Sequence, residues 1–205
     1  MNMEEMKMSD SCATVYYAAI PERAPGDDIK QLSRREEILT CKSSKVRAEK
    51  YYVWKLLGYA LKDAFNLEID NLQFTKLPGG KWVCPDVFFS LAHTDGLVCV
   101  AVSGTPIGVD AEVIKSMRVG IERKILTERE LCELSSLPLC ERDDYILDLW
   151  CKKEAIFKMR GGDALMPRTI EVDKYPTLTE SVTLCGQEYL LAICADSARF
   201  LKAEI

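Results

Sequence analysis

Apolar and polar positions recur along this chain in two rhythms, and the switch between them marks out its elements. Residues 15–20 form an apolar run that reads as a strand, closed by Pro21 and the Pro25-Gly26 break. A helical region follows, clearest over residues 45–65, where Val53, Leu57, Leu61 and Phe65 repeat every fourth position. Pro78-Gly79-Gly80 punctuates a loop. Two apolar runs, 87–93 and 97–102, flank Asp95-Gly96, a strong hairpin signal. After a turn at residues 103–106 the scheme is repeated loosely: a strand at 107–113, helical stretches at 128–135 and 143–160, then strands at 182–184 and 189–195. Each half therefore reads as strand, helix, strand, strand, although no repeat is visible residue by residue. Long helices laid on antiparallel sheets predict an α+β fold.

Within that pattern, two short stretches carry chemistry. In Gly108-Val-Asp-Ala-Glu112 the alternation puts Val109 and Ala111 on one face of a strand and Asp110 and Glu112 on the other. In Trp150-Cys-Lys-Lys-Glu-Ala-Ile-Phe-Lys158, Glu154 and Lys158 share a helix face. Alone, an Asp-x-Glu strand is usually a solvent face, and a Glu-x-x-x-Lys is usually a surface pair. Together they supply three carboxylates with lysines beside them. That set suits a hard divalent cation next to a phosphate, since Mg2+ takes oxygen ligands and keeps waters and substrate phosphate oxygens.

Composition narrows the field. A chain of 205 residues can bury one large core or two small ones. Its net charge of −5 and its lack of an Arg-rich arm or basic stripe disfavour a nucleic-acid partner, and with it a metal-dependent nuclease. No apolar run reaches the roughly eighteen residues of a membrane span. Residues 1–11 are acidic and Met-rich without an apolar core, which predicts a frayed end rather than a secretory signal. The nine cysteines are odd in number and lack zinc spacing. Cys84, Cys99, Cys132, Cys151 and Cys194 sit in apolar patterns, so reduced thiols and a cytoplasmic location are expected.

The pair GVDAE and WCKKEAIFK, about forty residues apart, resembles the 4′-phosphopantetheinyl transferases, specifically their long Sfp-type group. Leu126-Thr-Glu-Arg-Glu130 is similar to that family's Ser/Thr-x-x-Glu helix start, Gly80-Lys81 to its Gly-Lys-Pro, and Phe89-Ser-Leu-Ala-His-Thr94 to its Phe-Asn-Leu-Ser-His-Ser. The resemblance runs in order from about residue 45 to 170. It implies two pseudosymmetric α+β halves, 1–104 on the coenzyme A side and 105–205 on the metal side, each a small antiparallel sheet with a long helix, meeting at a cleft. It also implies a monomer.

The reaction it implies moves phosphopantetheine from coenzyme A to a serine of an apo acyl or peptidyl carrier protein. By resemblance Asp110, Glu112 and Glu154 hold Mg2+, Lys158 and Lys153 lie on the phosphates, and Glu130 is the general base, with Glu128 and Glu133 as competitors. His93, Lys81 and Lys50, helped by the Thr94 hydroxyl, grip coenzyme A, His93 at its 3′-phosphate or adenine. Trp150 is expected to pack between the halves. Three departures stand out: Ala92 replaces a serine expected to donate to the 3′-phosphate, Trp82 replaces a proline near adenine, and Gly161-Gly162-Asp163 replaces a Gly-x-Gly. A non-catalytic module for coenzyme A or a carrier domain is the alternative with the same motifs.

Overall fold

The structure is a computed structural model describing residues 12–22 and 25–205. The expected frayed end at residues 1–11 lies outside them. In chain order the elements are β1 (Ala13–Ala19), α1 (Leu32–Leu39), α2 (Ser44–Phe65), β2 (Thr75–Lys76), β3 (Trp82–Val83), β4 (Phe88–Thr94), β5 (Leu97–Ser103) and β6 (Gly108–Val113). Then come α3 (Glu122–Ile125), α4 (Glu128–Ser136), α5 (Arg142–Arg160), β7 (Thr177–Leu184), β8 (Gln187–Cys194) and β9 (Ala198–Lys202).

Local chemistry accounts for the ends of the helices. Ser43 caps α2 by accepting from the Val46 N–H, and Asn66 closes it in the left-handed conformation at φ 54°. A reciprocal capping box, Thr127 with Glu130, opens α4. Asp143 and Asp144 occupy the first turn of α5 and Lys158 and Arg160 its last, each sign matched to the helix dipole.

Two larger sheets form, ordered β4-β5-β1-β9 and β6-β8-β7, with β2 and β3 as a separate two-stranded piece. The hairpins β4–β5 and β7–β8 are antiparallel, and β1 and β6 each join the second strand of a hairpin antiparallel. The fold is mixed α+β, as expected, with one correction. β9, which has no apolar alternation to announce it, returns across the 104/105 boundary and pairs parallel to β1. The first sheet is thus not purely antiparallel, and residues 105–205 do not keep to themselves.

Alternation along the strands then stacks four layers. Tyr16, Ala18, Val98, Val100 and Val102 face α2 through Tyr52, Leu57 and Leu61. Val15, Ala92, Cys99 and Ala101 on the opposite face meet Val109, Ala111, Leu191 and Ile193 of the second sheet. Ala192 and Cys194 pack under α5 against Cys151, Ala155 and Ile156. The sequence is helix, sheet, sheet, helix. Ser90 stitches the two sheets by accepting from the Val109 N–H at 3.0 Å, satisfying a buried donor on the edge strand β6. All nine cysteines are free thiols, though Cys132 is exposed rather than buried. Among the described residues no helix is long and apolar enough to cross a membrane.

Candidate functional site

The carboxylates are brought together by a glycine. Gly108, Asp110 and Glu112 share the face of β6 that turns toward α5, and a Cβ at Gly108 would lie 1.9 Å from the Ala155 carbonyl oxygen. Only glycine lets the helix backbone settle directly on the strand there. That contact lays Asp110 and Glu112 alongside Glu154 and Lys158, one helical turn apart. The Lys158 ammonium donates to Asp110 Oδ1 at 2.8 Å, and the Trp150 indole N–H donates to Glu112 Oε1 at 3.0 Å. Trp150 therefore orients a site carboxylate, beyond the packing role expected of it.

The electrostatics bear the marks of crowded acids. Burial, then Asp110 and Glu112, push the Glu154 carboxyl up to about 7. Burial likewise raises Glu112, against the opposing hydrogen bond from Trp150. At Lys158 burial works against the ammonium, but Asp110 and Glu154 outweigh it and the amine is raised. Asp110 Oδ2 is buried without a hydrogen-bond partner. An orphaned carboxylate oxygen beside two more carboxylates, all hard oxygen donors, fits a divalent cation of the Mg2+ type. Among the described residues no group of three or more such side chains is gathered as a metal cluster, and Lys158 and Trp150 engage two of these oxygens.

A pH prediction follows for the metal-free chain. The folded Glu154 value lies above the ordinary 4.5, so the folded state holds that proton more tightly. Stability should therefore fall as pH rises from about 4.5 to about 7. Glu154→Gln should flatten that slope and melt higher than the parent at pH 8 in chelator. Superimposable melting-temperature profiles for the two proteins would remove the repulsion inferred here.

Beside the acids opens a cavity of ≈ 300 Å3. One wall carries Arg34 and Glu37 of α1 and Lys50 of α2; the other carries Phe157 and Lys158 of α5 with Gly161 and Gly162. His93 of β4 and Lys81 of the β2–β3 turn complete it. Four permanent cations against one carboxylate make this an anion-receiving space in a chain whose net charge is −5. Gly79 closes the rim, its Cα so near the Gly162 carbonyl that a Cβ would meet that oxygen at 2.8 Å. Lys81 donates to the Lys158 carbonyl, and burial lowers its amine. His93 has Nδ1 3.4 Å from Glu49 Oε2; burial, then Lys158, Arg34 and Lys50, hold its imidazole below the ordinary histidine value.

Lys50, Lys81, His93 and Lys158 thus line one cavity, and Thr94 does not. Two other expected site residues lie outside this cavity. Lys153 is fully buried, and its ammonium donates to Glu130 Oε2 at 2.5 Å and to the carbonyls of Ile125 and Pro167 at 3.0 and 3.1 Å. Lys153 is a neighbour of Glu154 in sequence but turns to these partners and does not line the cavity. Glu130 is buried too, accepting from Lys153 and from the Thr127 N–H at 2.7 Å. It borders a different surface groove, with Tyr145 and Arg168, and does not line the cavity beside the carboxylates.

Two of the sequence departures also change meaning. Ala92 is buried between the sheets, so a serine there would aim its hydroxyl into apolar packing and not into the cavity. Ala92→Ser should leave anion affinity unchanged and cost about 1–2 kcal/mol of stability, read by denaturant melts. Trp82 is buried against Trp54 at a centroid distance of 5.4 Å and donates its indole N–H to Glu37. Arg34 and Glu37 were missed from the sequence. Their only signal was an Arg and a Glu three apart on a short helix.

Residues 106–202, which span β6, α5 and the carboxylates, match the model of the 4′-phosphopantetheinyl transferase superfamily. By sequence about half of the chain is similar to 4′-phosphopantetheinyl transferases. The transferase gsp of Aneurinibacillus migulanus is 30% identical over 126 residues, covering 60% of this chain and 53% of that protein. The transferase ffp of Bacillus subtilis is 29% identical over 115 residues, 55% of this chain and 51% of the other. The transferase psf-1 of Bacillus pumilus is 29% identical over 109 residues, 52% and 47%. The chain spans about half the length of the curated relatives it matches.

Proposed function

We propose that this chain transfers 4′-phosphopantetheine from coenzyme A to a serine of an apo acyl or peptidyl carrier protein, using Mg2+. The observation that carries the reading is Lys158. One ammonium binds Asp110 and at the same time lines a cationic cavity, so the carboxylate cluster and the anion-receiving space are a single site. Asp110, Glu112 and Glu154 would hold the metal, which when bound neutralises and polarises pyrophosphate oxygens. Lys158, Lys81 and His93 would receive the phosphates from the cavity walls, and the buried surroundings strengthen each contact by excluding water.

In the reaction the serine hydroxyl oxygen forms a bond to the phosphorus nearest pantetheine. The bond from that phosphorus to the bridging oxygen breaks, adenosine 3′,5′-bisphosphate leaves with the bonding electron pair on that oxygen, and the hydroxyl proton passes to solvent water. The walls come from α1, α2 and β4 on one side and α5 on the other, and the orders β4-β5-β1 and β7-β8-β6 correspond. Both facts support two pseudosymmetric halves meeting at a cleft, with β9 added to the first. A cleft with both walls from one chain suits a monomer.

The test is incubation with coenzyme A, Mg2+ and an apo carrier protein, followed by mass measurement of the carrier. The expected result is the gain of one phosphopantetheine per carrier. Coenzyme A binding with no mass gain would reduce the chain to a binding module.

A further inference from the structure

Glu37 stands apart as an anion in the middle of a cationic cavity. Its Oε1 receives Lys50 at 2.7 Å and Lys76 at 3.2 Å, and its Oε2 receives Arg34 and the Trp82 indole N–H, both at 3.2 Å. One carboxylate thus engages four donors. Three of them are cations drawn from three separate elements, α1, α2 and β2. Arg34 is 4% exposed, stacks 5.2 Å from the Trp54 ring and spends a second nitrogen on the Lys50 carbonyl, so it cannot turn to water for relief. Burial raises the Glu37 carboxyl, but Lys50, Arg34 and Lys76 outweigh it and hold it at about 2, ionised at every working pH.

Three like charges would not stay this close without it. We propose that Glu37 is a built-in counter-anion: it holds Arg34 and Lys50 of the cavity wall, and Lys76 just outside that wall, in one cluster with a surplus of positive charge whose field receives an anionic group of the ligand. The idea rests on the reading of the cavity as a coenzyme A site. Glu37 is a positioning residue here, not a catalytic one. Its charge has two opposed consequences. It stabilises the empty cavity, and it repels the incoming anion that the same cluster attracts. The sign of its removal therefore separates this role from simple packing, because loss of a packing residue weakens a ligand, while loss of a counter-anion leaves cations that the ligand must now neutralise.

The decisive measurement is calorimetric titration of coenzyme A into the parent, Glu37→Gln and Lys76→Gln at several salt concentrations, with thermal melts alongside. Glu37→Gln should melt several degrees lower when empty, yet bind coenzyme A on the order of tenfold tighter at low salt, with a steeper loss of affinity as salt rises. Lys76→Gln alters a half-exposed residue with little risk to folding. It should weaken binding severalfold and flatten the salt dependence. Equal or weaker binding by folded Glu37→Gln would overturn the proposal, as would unchanged affinity and salt dependence in Lys76→Gln. A parent that does not bind coenzyme A at all would instead overturn the reading of the cavity, so the two failures are told apart.

Discussion

Asp110→Ala should lower phosphopantetheine transfer by at least about a hundredfold while the protein still melts cooperatively. Removing a single preorganised electrostatic contact at a reacting phosphate commonly has that size of effect. Asp110 contributes two. Its Oδ1 anchors the Lys158 ammonium at the cavity wall, and its Oδ2 is the unpartnered buried oxygen best suited to a cation. Folding should survive because the apolar partners of β6, Val109 and Ala111, face the other sheet and are untouched. Loss of Asp110 also relieves the repulsion that raises Glu154. Besides the rate, the proposed metal site predicts that Mg2+ raises the melting temperature of the parent and not of the variant, since only ligands that bind the folded state stabilise it. A folded Asp110→Ala protein that transfers at the parent rate would remove the carboxylates from the chemistry.

The second large effect concerns stability. Lys153→Met is expected to cost about 3–5 kcal/mol, the usual consequence of breaking a buried ion pair from one side. In a protein of this size that lowers the melting temperature by roughly 10 °C. The loss arises because the buried Glu130 carboxylate loses its cationic partner and is left with the Thr127 N–H, and the carbonyls of Ile125 and Pro167 lose their donor. These contacts tie α5 to the end of α3, to the start of α4 and to the turn after α5. The double change Lys153→Met with Glu130→Leu should recover much of the stability, because an apolar pair removes the desolvation cost of both charges. If Lys153→Met were as stable as the parent and lost coenzyme A affinity instead, its ammonium would belong on a phosphate after all.

Much of the fold was legible in the chain for a definite reason. The α2 pattern at Val53, Leu57 and Leu61, the Asp95-Gly96 turn and the alternation of β6 are local signals, each set by neighbours within a few residues. The strand β9 was not, because its pairing with β1 joins residues at opposite ends of the chain. Pattern placed Asp110 and Glu112 on one side of a strand, and the burial of Val109 and Ala111 on the other side agrees.

The division of labour at the site follows the same physics. Residue order alone shows which types are available to the proposed site: three carboxylates and Lys158 on regular elements, with Gly108 at the head of the strand. It could not say whether Lys153 joins Lys158 at the cavity. Helical spacing fixes relative angles around an axis, while the identity of the buried face depends on what packs against it. Tertiary structure decided that Lys153 turns inward to Glu130 and that Lys158 turns to Asp110. It also decided that Ala92 lies between two sheets and that Arg34 and Glu37 enter the cavity wall, since burial is a property of the assembled layers and not of the strand or helix alone.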